Sequence, residues 1–286
     1  MSLEFVPFQK QHIPELAHIC HTAFTALHHR HAVPLDIPDL NTARWIMGHI
    51  GDRPDYTGIV ALLDGQIVGS NFLLHGDPVA GIGPISVAIK SQTNGIGRGL
   101  MQWAIDESQR RNIQQVRLFQ EAINTVSLSL YSTLGFAWRS SAALMQAHPS
   151  IADDPLTRPL TIADLSAVAT LSEQTYGFSR LADTQQLLAA GLPGFIRERN
   201  GEAVGYFFPS PFGHGGAATE DDLLSLIAHA ARHIAPEMTL FLCPLQIPHL
   251  FRHALAAHHR TIKMFSYMSL GEFTEPMGYY LPSILC

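Results

Sequence analysis

The sequence predicts a mixed α/β fold: an α+β arrangement of helices around a mixed sheet, laid down twice in succession. Three observations carry this. Apolar residues recur by turns at helical and at strand spacing through residues 13–145. A glycine-rich turn, SQTNGIGRGL at 91–100, leads straight from a strand into an amphipathic helix. After a break rich in proline and acid at 148–160, helix, hairpin, helix and strand return in fainter form.

The elements follow in order. Residues 13–24 carry apolar positions at helical spacing, and 41–50 form a second short helix. An apolar run at 58–63, the Asp64-Gly65 turn and a strand at 66–74 make a hairpin. A third strand is predicted over 82–89, with Ile85, Val87 and Ile89 alternating against Ser86, Ala88 and Lys90. Beyond the glycine turn, Leu100, Met101, Ala104, Ile105 and Ser108 share one helix face. A strand at 116–120, a short helix at 127–134 and a strand at 138–145 complete the first half. The break at 148–160 reads as a linker between domains at 1–147 and 161–286. The second half repeats a helix at 162–173, the hairpin FIRERNGEAVGYFF and a helix at 221–233. A strand at 239–242, a helix at 249–257 and a strand at 265–270 close it. Gly201 and Gly205 stand four residues apart around their hairpin, as Gly65 and Gly69 do around theirs.

Composition narrows the partners. The 286 residues suffice for two cores, and 47% hydrophobic with 15% charged residues is a globular balance. A net charge of -6 argues against nucleic acid, which wants a basic surface. No apolar run reaches the ~18 residues of a membrane span, and the opening MSLEFVPFQKQH lacks the regions of a secretory signal. Cys20, Cys243 and Cys286 are far apart and suit free thiols. The expectation is a cytoplasmic monomer or homodimer with no membrane and no nucleic-acid partner.

The turn at 91–100 is the strongest chemical signal. A dinucleotide fingerprint needs G-x-G-x-x-G, whereas Gly95, Gly97 and Gly99 give G-x-G-x-G; a Walker loop needs a Gly-Lys-Ser or Gly-Lys-Thr that is absent. What remains is Q-x-x-G-x-G at Gln92, Gly95 and Gly97. Glycines there let the backbone approach a diphosphate, and the first-turn amides and dipole of the helix favour its charge. On its own the pattern is equally a structural turn opening a helix.

Two stretches lift it above that. GPISVAIKSQTNGIGRGL from Gly83, and NTVSLSLYSTLGF from Asn124 to Phe136, resemble the two signatures of the GCN5-related N-acetyltransferase (GNAT) superfamily. The likeness extends in element order over residues 1–147. It implies the acyl-CoA N-acyltransferase fold in two tandem copies, the second degenerate. It implies acetyl-CoA as cosubstrate, with its diphosphate on Gln92, Thr93, Asn94, Gly95, Ile96, Gly97, Arg98 and Gly99. Its pantetheine would run along Ile85, Ser86, Val87 and Ile89, with Asn124 and Ser127 completing the site. Pro84 fits a strand splayed from its neighbour, since proline cannot donate to a ladder. The implied reaction is acetyl transfer to a primary amine of a small molecule, without a metal, with Tyr131 as general acid.

The general base is where this sequence departs from the family's commonest pattern. GIGPISV carries no carboxylate on the strand before the loop. Glu121 is a candidate base, although its place at a strand end reads first as a solvated acid; Asp77, His75, His28, His29 and His31 are others. The resemblance places HHRHAVPLDIPD beside the acceptor, so His28, His29, Arg30 and His31 are candidate substrate contacts. With no acid or cysteine at metal spacing, HHRH reads as surface or pocket histidines rather than as a zinc site. In the second half Glu220, Asp221 and Asp222 open the helix where a phosphate loop would stand, and three carboxylates there repel a diphosphate. One coenzyme per chain is therefore expected. The C-terminal carboxylate of Cys286 is a further base candidate, because the tail enters the active site in some tandem relatives. The missing strand carboxylate also raises a second class, a non-catalytic coenzyme A sensor, against which Tyr131 speaks for an enzyme.

Overall fold

The computed structural model describes residues 2–92, 94–149, 152–209 and 212–284. The chain opens with β1 (Leu3–Pro7), α1 (Ile13–His31), α2 (Leu40–Asp52) and the hairpin β2 (Tyr56–Leu63) and β3 (Gln66–Leu74). Pro14 sits in the first turn of α1, where a missing N–H costs nothing. Asp39 caps α2 by accepting from the Thr42 amide at 2.8 Å. Next come β4 (Val79–Ile82), β5 (Ser86–Val87), α3 (Ile96–Arg110), β6 (Gln115–Glu121), α4 (Thr125–Thr133) and β7 (Ala137–Gln146). The strand expected over 82–89 is thus two short pieces. The cis Gly83-Pro84 bond separates them, and a 3-10 turn at Ile89–Ser91 carries Ile89 into solvent.

The second half holds β8 (Thr157–Pro159), α5 (Leu165–Tyr176), α6 (Leu181–Ala189), β9 (Phe195–Arg199), β10 (Glu202–Phe208) and β11 (His214–Ala217). It continues through α7 (Glu220–His233), β12 (Leu240–Pro244), α8 (Pro248–Ala256), β13 (Arg260–Gly271) and β14 (Tyr279–Leu281). β9–β10 and β2–β3 are alike in detail. Each turns on a positive-φ pair, Asn200-Gly201 and Asp64-Gly65. In each the later glycine lies against the next strand: a Cβ at Gly69 would press on the Ser86 carbonyl, and one at Gly205 on Ala217.

The main sheet runs β1-β2-β3-β4-β6-β13-β7-β12, with β5 beside β3. Its neighbours are antiparallel except β4 and β6. The second sheet is β14-β11-β10-β9-β8. At the centre of the main sheet the two halves interleave, since β6 and β7 come from the first and β13 and β12 from the second. β13 pairs with both strands at once, along Phe265–Gly271 with β6 and along Arg260–Ser269 with β7. Its Met268 packs among Met101, Leu118 and Phe136, so a strand from the second half completes a first-half core.

The site lies where this sheet opens. β4 and β6 are paired from Val79↔Gln115 to Gly81↔Arg117 and no further. Beyond that point Ile82 to Ile85 face Leu118 to Glu121 across a cavity. Among the described residues no helix is long and apolar enough to cross a membrane. Cys20 and Cys243 are free and buried, and Cys286 lies outside the described residues.

Candidate active site

The glycine turn follows the cavity-lining segment Ile82–Ile85 by way of β5. Gly95 caps α3 with φ 74°, a left-handed conformation that favours glycine, and the first turn of α3 carries no acid. The other two glycines differ in reason. A Cβ at Gly99 would collide with the Phe5 ring, so the fold itself wants glycine there. Among the described residues a Cβ at Gly97 would come no closer than 3.6 Å to a neighbour, Leu130 Cδ2. Packing does not ask for glycine at 97, yet its absence of a side chain keeps the start of α3 bare, as an approaching anion requires. Gln92 ties the turn to β5 by donating to the Val87 carbonyl at 3.1 Å. Arg98, exposed, donates to Thr133 Oγ1 at 2.7 Å and joins α3 to α4. Ile96 is buried beneath the turn, Asn94 is exposed, and Thr93 lies outside the described residues.

From the split a cavity of about 240 Å³ runs inward, walled by Phe24, Trp45, Tyr56, Phe119 and Phe265. Asn124 caps α4, accepting from the Ser127 amide at 3.1 Å. Three and seven residues on, Ser127 and Tyr131 share its face, and all three line the cavity together with Ile85. Tyr131 is buried at 5% exposure; burial raises its phenol above the ordinary value, against a hydrogen bond with the Ser127 side chain. It therefore stays protonated at neutral pH and can act as a donor.

A charged cluster lies at the cavity wall: Glu121 and Asp36 line the cavity, whereas His28 and Lys263 contact them without lining it. Glu121 is not the solvated acid that its strand-end position suggests: it is buried, because β13 and the end of α1 close over the tip of β6. His28 Nε2 lies 2.6 Å from Glu121 Oε1. Lys263 Nζ, from β13, lies 3.2 Å from the same oxygen and 2.6 Å from Asp36 Oδ1. Glu121 Oε2 and His28 Nδ1 are buried with no hydrogen-bond partner among the described residues. Burial raises the Glu121 carboxyl, but the His28 contact and the Lys263 charge outweigh it and hold the group below its ordinary value. Asp36 goes the other way. Burial pushes it up to about 6, Lys263 opposes this, and the Glu121 charge adds to it.

Other candidates lie elsewhere. His29, Arg30 and His31 are exposed on the last turn of α1 and do not line the cavity. Asp77 accepts from the Ala182 and Asp183 amides at 2.9 and 3.3 Å and faces Arg180, and His75 meets Arg111 at 3.2 Å; neither lines the cavity. Sequence reasoning missed Asp36 and Lys263. The visible signal for Lys263 was a lone cation in the apolar strand TIKMFSYMSL. It also left the acids around His28 unseen, since Asp36 and Glu121 converge on it only in space. Lys263 places its own ammonium between those carboxylates, where a cation would otherwise sit.

Residues 14–136 match the model of the Acetyltransferase (GNAT) family. A mycothiol acetyltransferase from Renibacterium salmoninarum is 31% identical over 104 residues, covering 34% of this chain and 30% of that protein. The match thus takes in less than a third of that relative's length. A Pyrococcus horikoshii structure, provisionally assigned as an acetyltransferase, superposes with TM-score 0.81 at 15% identity, over 99% of this chain and 94% of that one. A GCN5-related N-acetyltransferase from Sphaerobacter thermophilus gives 0.62 at 14% identity, over 94% and 95%. A tandem GNAT protein from the clavulanic acid biosynthesis pathway gives 0.57 at 13% identity, over 96% and 100%. At such identities the likeness is one of fold, the acyl-CoA N-acyltransferase fold.

Proposed function

We propose that this chain, a member of the GNAT acetyltransferase superfamily through its residues 14–136, moves an acetyl group from acetyl-CoA to a primary amine of a small, largely apolar molecule. The observation that carries the reading is a single cavity lined by both a protonated, buried phenol and a buried carboxylate with one unpartnered oxygen. Acetyl-CoA brings an activated thioester; its diphosphate fits the turn at 92–99 and its pantetheine the edge at 85–89. The chain's own residues do the rest. Aromatic walls take the apolar body of the acceptor, and Glu121 Oε2 accepts a hydrogen bond from its ammonium. The Glu121–His28 pair takes up the proton that the amine must lose before attack. A backbone amide near Ser86 and Val87 polarises the carbonyl, and Tyr131 protonates the departing sulfur. No metal enters this scheme. A non-catalytic sensor of coenzyme A would have no use for a buried carboxylate that faces the cavity with an imidazole bonded behind it.

In the same reading residues 1–147 are the acetyl-CoA domain, 148–160 the linker and 161–286 a degenerate copy that trades strands with the first. The repeated hairpin, with its matching turn and its later glycine under the next strand, supports this. The test is turnover by the full chain. Thiol release and the mass of the product are followed with acetyl-CoA and a panel of aromatic and aliphatic primary amines. Acetylated apolar amines are expected. Tight acetyl-CoA binding with no acetylated product from any amine would leave the sensor.

A further inference from the structure

Outside the cavity, α7 and the segment ahead of β8 bring together a donor set that the proposed reaction does not use. His229 and His233 are four residues apart on α7 and so share one face. Asp153 reaches over from the neighbouring segment. Its Oδ1 lies 3.1 Å from His229 Nδ1 and 3.1 Å from His233 Nε2, and all three atoms fall within 4.8 Å of one another. We propose that His229, His233 and Asp153 form a binding site for a divalent transition-metal ion of the zinc type, tying the segment before β8 to α7.

Geometry supports it first. Metal–ligand bonds of about 2.0–2.2 Å in a tetrahedron put ligand atoms about 3.3 Å apart. The two edges of 3.1 Å lie within a few tenths of an ångström of that separation, and the third, between the histidine nitrogens, is within 4.8 Å. The histidine rings, 4.4 Å apart at their centroids, are inclined at 41° rather than stacked flat. His229 is the second observation. It is 5% exposed, held edge-on against the Phe195 ring at 5.3 Å, and its Nδ1 is buried without a hydrogen-bond partner among the described residues. A buried imidazole nitrogen aimed at a carboxylate but not bonded to it is a group that lacks a third party.

The donor chemistry agrees. Two imidazoles and one carboxylate suit zinc and its late first-row neighbours. Asp153 and His233 are exposed, so water can supply a remaining position. Arg197 is already engaged by Asp154 and Asp222, which reduces its opposition to an incoming cation. The pair His249 and His253 on α8 has the same spacing, but the two meet different oxygens of Glu220, so their donor atoms do not converge. That pair is the natural control.

The experiment uses the full chain stripped of metal by a chelator and titrated with zinc chloride against a competing chelator of known affinity. One tight equivalent per chain is expected. It should weaken at least about 100-fold in His233→Ala and in Asp153→Asn, more than the loss of an outer-shell partner costs. It should persist in the double variant His249→Ala, His253→Ala. Both test positions are exposed, and circular dichroism of the metal-free variants checks that they fold. Cobalt offers a second readout: a visible ligand-field band in the wild type that disappears with His233→Ala. Wild-type zinc affinity retained in both test variants would overturn the site, and so would a wild-type chain that binds no zinc. The outcome is independent of whether the chain acetylates an amine.

Discussion

Two strand-to-helix junctions, one in each half, show how the same local architecture is opened in one place and shut in the other. After β5, the turn into α3 is capped by Gly95 with no side-chain cap and carries no acid in its first turn, and β4 and β6 part ahead of it in the chain. After β11, α7 is capped by Thr219, whose hydroxyl accepts from the Asp222 amide at 3.2 Å, and Glu220, Asp221 and Asp222 fill its first turn. Asp222 is buried between Arg197 and Arg199, so the helix start is already neutralised from within. The flanking strands differ as much. β11 has no open side, for β14 pairs with it from Gly215↔Leu281 to Ala217↔Tyr279. The Tyr176 hydroxyl bonds to the carbonyls of both Gly215 and Leu281. Where the first half leaves β4 and β6 parted beyond Gly81, the second half lays β14 of its own chain beside β11. A cleft in this architecture needs a strand open on one side and a helix start without a side-chain cap, and either feature can be withdrawn.

The contrast can be broken most severely by separating the halves. Residues 1–147 alone would leave β6 and β7 without β13, exposing strand backbone and the core around Met268. The expected outcome is a chain with no cooperative unfolding transition. A fragment that melts cooperatively and binds acetyl-CoA would show the interleaving to be dispensable.

Within the open junction, Tyr131→Phe keeps the ring and removes the donor. Turnover should fall by ~10²–10⁴-fold, with acetyl-CoA affinity little changed. The measurement is kcat under single-turnover conditions beside a calorimetric Kd. An unchanged kcat would reduce Tyr131 to a packing residue of the core it shares with Phe136.

The smallest effect is electrostatic. Asp36 holds its proton more tightly folded than unfolded, since its carboxyl is raised from 3.8 to about 6. Its contribution to stability is therefore fully present below pH 3.8 and is lost as pH rises through about 6. Asp36→Asn should remove that decline, flattening the stability profile over this window by up to about 3 kcal/mol. Urea unfolding of both proteins across the window reads it, and parallel profiles would contradict it.

What the sequence made legible was local. The glycine turn, the hairpin at Asp64-Gly65, the apolar face of α3 and the short helix that carries Tyr131 all follow from spacing within a few residues, while Asn124 came only from the family resemblance. The first-turn acids of α7 were equally plain. What stayed hidden depends on partners distant in sequence. Nothing in TIKMFSYMSL says that it lies between β6 and β7 rather than in a sheet of its own half, and Lys263 enters the site only through that insertion. Glu121 looked solvated because a strand end usually is, and only His28 and β13 folding over it make it buried. The short strands β1, β8, β11 and β14 escaped for the same reason. A run of three to five residues has too little periodicity to announce a strand, and its identity comes from the neighbour it pairs with.

The central claim is that one junction of the two holds the coenzyme. Isothermal titration of acetyl-CoA into the full chain tests it most directly, alongside Gly97→Asp. That position has room for a side chain, so the variant should fold while placing a carboxylate where a diphosphate must come. The account predicts one site per chain in the parent protein and none in the variant. Two sites, or one site that survives Gly97→Asp, would contradict it.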